Sequence, residues 1–228
     1  MMPAAIAPRQ LALSLDHAES LDRDDFLEGP CNASALALIE SWPDWAARVM
    51  ALVGPRGSGK SHLASIWAAQ AGARFVSARS LTIAGVPAAL ATGALVVEDL
   101  AAGDCDEAAL FHLLNLVREE RCFLLVTAQK NLASGQFELK DLASRLRAVP
   151  LVTLEAPDDH LLRAVLVKLF SDRQLAVDES LISFLLTRIE RSFSAARIAV
   201  GNLDREALRR SRPVNRALAV DLYKENGA

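Results

Sequence analysis

Residues Gly54-Pro55-Arg56-Gly57-Ser58-Gly59-Lys60-Ser61 fit the pattern GxxxxGK[ST] at every fixed position. A short apolar run, residues 49–53, precedes them, and a helical pattern through Leu63, Ile66 and Trp67 follows over 62–71. Strand, glycine-rich loop and helix in that order open a parallel α/β sheet, which is the context that gives the pattern its meaning. Gly57 and Gly59 let the backbone wrap closely around phosphate oxygens. Successive N–H groups, including that of Ser58, and the helix N-terminus supply positive potential. Lys60 is placed to neutralise the β and γ phosphates and the Ser61 hydroxyl to ligate Mg2+, so the loop implies ADP or ATP with Mg2+.

The rest of the chain extends this beginning. Further strands are expected at 74–77, 94–97, 122–127 and 149–154, with a helix over 106–121 that carries Leu110, Leu113, Leu114 and Val117 on one face. Another helix, from Asn32 as N-cap toward Ala47, precedes the first strand. Strands alternating with helices predict a doubly wound parallel sheet with helices on both faces. Beyond Pro157 four helical patterns follow without a strand, at 158–170, 178–188, 194–209 and 213–223. The expected organisation is a flexible arm over 1–25, an α/β nucleotide-binding domain over 26–156 and a small all-helical lid over 157–228.

Charge and cysteine content narrow the classes. The 25 basic and 28 acidic residues leave a net charge of −3, which does not suit a protein that grips nucleic acid over its whole surface. Only five of the cations are lysines, which makes Lys60 conspicuous. Cys31, Cys105 and Cys122 have no CxxC spacing, arguing against a zinc site or a disulfide framework. With no apolar run of membrane-spanning length and no signal-peptide pattern, a cytoplasmic protein without membrane contact is expected.

A phosphate loop of this kind needs an acid at the end of a neighbouring strand to hold the magnesium shell and orient the attacking water. Leu95-Val96-Val97-Glu98-Asp99 supplies two, and Glu98 is the candidate metal acid although which does which job is open. Thr127 and Gln129, at the end of the next strand, are candidates for sensing the γ-phosphate; the bland alternative is an ordinary strand-end turn.

Together these segments resemble the AAA+ ATPases, and more narrowly the family of the bacterial replication initiator DnaA, including its Hda-type regulatory inactivators that lack a DNA-binding domain. Asp25-Phe26-Leu27-Glu28-Gly29-Pro30-Cys31-Asn32 is similar to the family segment beside the adenine, which implies that Gly29 and Asn32 contribute to nucleotide binding. His62 matches the family's histidine after the Walker hydroxyl. Asp141-Leu142-Ala143-Ser144-Arg145 resembles the stretch bearing the arginine finger, so Arg145 would reach a neighbour's nucleotide rather than its own. The lid departs from the family: Ser194 stands where its arginine is expected, with Arg191 and Arg197 three residues to either side, and Arg197 is preferred for the cleft.

Gln10-Leu11-Ala12-Leu13-Ser14-Leu15 is similar to the peptide by which such regulators dock on the DNA polymerase III β sliding clamp. Leu13 and Leu15 would enter an apolar pocket, with Leu11 beside them, while the Gln10 amide makes fixed hydrogen bonds. The segment ending at Ala228 has no counterpart of the helix-turn-helix domain that follows the lid in DnaA, so direct sequence-specific DNA binding is not expected.

The resemblance implies a regulator of replication initiation that stimulates hydrolysis of DnaA-bound ATP. Two other readings stay open: an ATP-dependent loader or remodeller of a helicase or single-stranded DNA, and a nucleotide-binding interaction module without turnover. Self-association is likewise left open.

Overall fold

The apolar runs become the strands of one parallel sheet: β1 (Val49–Val53), β2 (Arg74–Ser77), β3 (Ala94–Glu98), β4 (Phe123–Ala128) and β5 (Leu151–Thr153). Their spatial order is β2-β3-β4-β1-β5. The structure is a computed structural model that describes residues 21–225. Helices α1 (Ala33–Glu40), α2 (Lys60–Ala71), α3 (Val86–Ala89), α4 (Glu107–Glu119) and α5 (Lys140–Arg147) are interleaved with the strands. Helices α6 (Asp159–Asp172), α7 (Glu179–Leu186), α8 (Phe193–Arg210) and α9 (Arg216–Glu225) follow the last strand.

The central strands are apolar up to Glu98 and Thr127 near their carboxyl ends because both of their faces are covered, as parallel sheets require. Side chains alternate across the pleat. Ala51, Val53, Leu95, Val97, Leu124 and Val126 point into a core shared with Leu110, Leu113, Leu114 and Val117 of α4 and with Leu142 and Leu146 of α5. Met50, Leu52, Ala94, Val96 and Leu125 point into the opposite core, built with Leu36 and Ile39 of α1 and Leu63, Ile66 and Trp67 of α2. Trp67 is fully buried and stacks on Trp45 with ring centroids 4.9 Å apart. The P-loop helix and the α4–α5 pair therefore lie on opposite sides of the sheet. A third core, formed by α6 to α9 around Leu166, Phe170, Leu181, Leu185, Val200, Leu203 and Leu218, contains no strand residue among its buried members.

Because the strands are parallel, their carboxyl ends share one edge. Val53 pairs with Ala128 in register and Val97 with Val126, while Gly54 N donates to Ala128 O at 3.1 Å. All five expected strands are present. The helix expected from Asn32 toward Ala47 stops at Glu40, and α2 starts at Lys60 rather than His62. Helices α3 and α5 were not anticipated.

Of the stretch expected as an arm over 1–25, the described residues 22–25 are tied to the folded chain. Asp22 O accepts from His62 Nε2 at 2.9 Å, Arg23 Nε pairs with Glu40 at 2.6 Å, and Asp25 pairs with Lys168 of α6 at 2.6 Å. Residues 22–25 thus bridge α2, α1 and α6. The peptide Gln10–Leu15 lies outside the described residues. No helix among them is long and apolar enough to cross a membrane.

Candidate nucleotide-binding site

The P-loop turns because two of its residues take conformations that L side chains avoid: φ is +70° at Gly57 and +97° at Gly59. Gly59 caps α2, a twelve-residue helix whose first residue is Lys60. The Lys60 ammonium is buried, 7% exposed, and donates to Gly54 O at 2.9 Å and Pro55 O at 2.8 Å, folding the loop back on its own base. Burial pushes its pKa below the ordinary lysine value; nearby Asp99 opposes that shift and Arg56 adds to it. Ser61 is exposed at the first turn of α2, open to a metal ion. The Ser58 hydroxyl is buried without a hydrogen-bond partner, and its Oγ lies 3.0 Å from the Cβ position of Gly54. A left-handed glycine pair, a buried ammonium, an orphaned buried hydroxyl and an unencumbered Ser61 together fit a Mg2+-bound polyphosphate.

The acids approach from β3. Glu98 closes the strand, half-buried and in register with Ser77. Asp99 follows in the left-handed region at φ 54°, where Asp is among the more tolerant residues, and its charge is the one felt at Lys60. Buried Thr127 of β4 fixes this turn: its Oγ1 accepts from Asp99 N at 3.0 Å and its carbonyl from Leu100 N at 2.8 Å. Thr127 therefore orients the acid, which is a part the sequence did not suggest. Gln129 is exposed one residue beyond β4 and lines, with Asp99, Leu100, Lys130 and Phe137, a groove of about 400 Å³.

The segment before α1, expected to lie beside the base, is held by its own polar contacts. Asn32 sits at the N-cap position but makes no side-chain cap. Its Oδ1 accepts from Gly29 N at 2.8 Å and its Nδ2 donates to Leu27 O at 3.0 Å, so a fully buried amide holds the loop closed. The Cβ position of Gly29 is 2.7 Å from Leu161 of α6, which leaves no room there for any larger residue unless Leu161 moves. Phe26 packs edge-on against His62 at 5.1 Å and lies 3.6 Å from the Cβ position of Gly59. Burial pushes the His62 pKa down, and Arg197 does so too. His62 thus joins residues 22–26 to the P-loop helix.

The lid closes directly on the P-loop. Phe193 N donates to Gly57 O at 2.9 Å, and a Cβ at Gly57 would stand 2.8 Å from Ser194 Cβ and 3.0 Å from Ser192 Cβ. Ser194 accordingly occupies the loop side of α8. Of its flanking arginines, Arg191 pairs with Asp159 at 3.1 Å, whereas Arg197 is half-buried on α8 near His62. Gly57→Ala would combine a left-handed alanine with a collision against α8. The expected loss is about 1–3 kcal/mol, read as a lower melting temperature; a variant as stable as wild type would show that α8 does not rest on Gly57.

Arg145 lies elsewhere. On α5, it donates Nη1 to Asn115 Oδ1 at 2.5 Å and lies over the Phe111 ring at 4.5 Å, both on α4. Sequence reasoning singled out neither Asn115 nor Phe111, because each matters only through a long-range contact. The arginine-rich C-terminal helices are largely neutralised internally: Arg209 and Arg210 pair with Glu206, and Arg212 pairs with Asp221 at 3.1 Å.

No protein-family model matches the chain, and no curated protein sequence does. Solved structures do. Domain III of the Thermotoga maritima replication initiation protein DnaA superposes with a TM-score of 0.74 at 17% identity, covering 90% of this chain and 96% of that one. AMPPCP-bound DnaA from Aquifex aeolicus gives 0.65 at 14% identity over 79% of this chain and 64% of that one. The T. maritima RuvB Holliday junction branch migration motor gives 0.70 at 17% identity over 89% and 70%. The chain has the AAA+ fold of DnaA domain III and RuvB, and it spans about two thirds of the longer AMPPCP-bound DnaA chain.

Proposed function

We propose that this chain is a nucleotide-loaded regulator that docks through Gln10–Leu15 on the β sliding clamp and uses Arg145 to complete the active site of ATP-bound DnaA. The observation that carries the reading is the placement of Arg145. Its side-chain partners, Asn115 and Phe111, belong to α4, on the sheet face opposite the P-loop helix. A guanidinium held there would be offered to a neighbour's nucleotide.

The chain's own site would serve binding first. Backbone N–H groups of residues 57–61 and Lys60 would hold the phosphates, Gly29 and Asn32 would shape the base side, and Arg197 would face the cleft from the lid. Bound Mg2+ would neutralise phosphate charge, with the Ser61 hydroxyl and an acid from Glu98 or Asp99 as its protein ligands. Gln129 and Thr127 would stand toward the γ-phosphate. The AMPPCP-bound state of a DnaA with the same fold supports nucleotide binding.

Acting on DnaA, Arg145 would stabilise charge on the transferring phosphoryl group while water attacks the γ-phosphorus and the bond to the β-phosphate oxygen breaks. ADP-bound DnaA and phosphate result. A requirement for clamp on DNA would confine this activity to the period after replication has begun.

The experiment follows ATP pre-bound to DnaA, with DNA-loaded clamp, in the presence and absence of this chain. The expected result is clamp-dependent acceleration that Gln10→Ala reduces to the rate seen without clamp. If DnaA-bound ATP decays no faster with the wild-type chain, the reading fails, and a loader or a passive nucleotide-binding module becomes the better account.

A further inference from the structure

The apolar face of α4 is buried in the core, yet a second, half-buried stripe on the same helix is occupied by one short segment. Glu107, Phe111 and Asn115 recur every four residues, so they line up one turn apart along one side of the helix. Each touches the finger segment. The Glu107 carboxylate accepts from Glu138 N at 3.0 Å through Oε1 and from Leu139 N at 2.8 Å through Oε2, where α5 is about to start. Phe111 presents its ring to the Arg145 guanidinium at 4.5 Å, and Asn115 Oδ1 accepts from its Nη1 at 2.5 Å.

We infer that Glu107, Phe111 and Asn115 form a positioning rail that sets the aim of Arg145 before a partner arrives. The inference rests on the proposed finger role of Arg145. A planar cation with one edge held by a carbonyl oxygen and one face on a ring loses rotational freedom in the free protein, so less remains to be lost when it meets a phosphoryl group. The bond to Asn115 comes from Nη1 alone of the guanidinium nitrogens. Glu107 fixes the entrance of α5 and Asn115 the guanidinium near its exit, so the rail spans the helix that bears the finger. Asn115 is neutral, and its bond to Arg145 therefore leaves the charge of the guanidinium uncompensated, which a carboxylate at 115 would not.

The test compares acceleration of DnaA-bound ATP hydrolysis by wild type, Arg145→Ala, Phe111→Leu, Phe111→Tyr and Asn115→Leu, each titrated against DnaA with loaded clamp. Phe111→Leu keeps an apolar body against the core and removes only the ring face; Phe111→Tyr restores that face. Phe111→Leu and Asn115→Leu are expected to lower the maximal rate about tenfold each, with an unchanged half-saturating DnaA concentration and unchanged nucleotide binding by the chain itself. Phe111→Tyr is expected to recover most of the rate. If Arg145→Ala abolishes acceleration while both leucine variants keep the wild-type maximal rate, the rail is refuted and the finger reading stands. If Phe111→Tyr is as slow as Phe111→Leu, the ring face has no positioning part and the rail is likewise refuted. If the wild-type chain accelerates nothing, the finger reading and the rail fall together.

Discussion

Arg145→Ala is expected to leave the chain folded and able to bind its own nucleotide, yet to remove about 10³-fold or more of the acceleration of DnaA-bound ATP hydrolysis. The truncation deletes one hydrogen bond to Asn115 and one ring contact with Phe111. Arg145 is half-buried, so the stability cost should be about 1–2 kcal/mol, too small to unfold a domain with two packed faces. What is lost in the complex is larger, because a guanidinium in a water-excluded site acts on charge that develops only as the phosphoryl group transfers. Arg145→Lys separates geometry from charge: an ammonium keeps the charge but cannot lie flat on Phe111 while also donating along Asn115. It should fall between wild type and alanine. Single-turnover hydrolysis by pre-loaded DnaA, run beside thermal melting of each variant, reads both quantities. An alanine variant that accelerates hydrolysis as well as wild type would remove Arg145 from the reaction.

The sheet was legible because β1, β3 and β4 are runs of aliphatic residues and Gly57 and Gly59 sit where glycine is favoured; the strands and the P-loop follow from local pattern. Helix α5 was not, because between Lys140 and Arg147 its buried residues are only Leu142 and Leu146, too few for a period to register. Asn32 was read correctly as lying where α1 begins, but its amide turns back to Leu27 and Gly29 because that polar loop is buried under α6 and needs its hydrogen bonds satisfied. The contact of Phe193 with Gly57 joins segments far apart in the chain, and no local pattern encodes such a pairing. Asp25 offers a similar lesson. It falls at the end of the expected arm, and it becomes a tie to Lys168 only once α6 is in place.

The second large effect concerns Lys60. Its ammonium is buried against Gly54 O and Pro55 O, and burial disfavours its charged form despite Asp99. Lys60→Ala therefore removes two opposing contributions at once, a desolvated charge and two hydrogen bonds, and the melting temperature without nucleotide should change little. Binding is different. Phosphate oxygens turn the buried charge from a cost into a charge-assisted contact, and its loss should weaken ATP binding by about 10²- to 10³-fold, or roughly 3–4 kcal/mol. Wild type at a hundredfold excess of ATP over its Kd should gain about 2.7 kcal/mol of stability. At that same ATP and Mg2+ concentration the variant should gain little. Melting curves with and without nucleotide decide it: a variant that keeps the wild-type shift would mean that the loop binds phosphate without its lysine. Lys60→Arg should not rescue the shift, because a planar guanidinium is broader than the ammonium that now fits between two carbonyl oxygens at the loop's base.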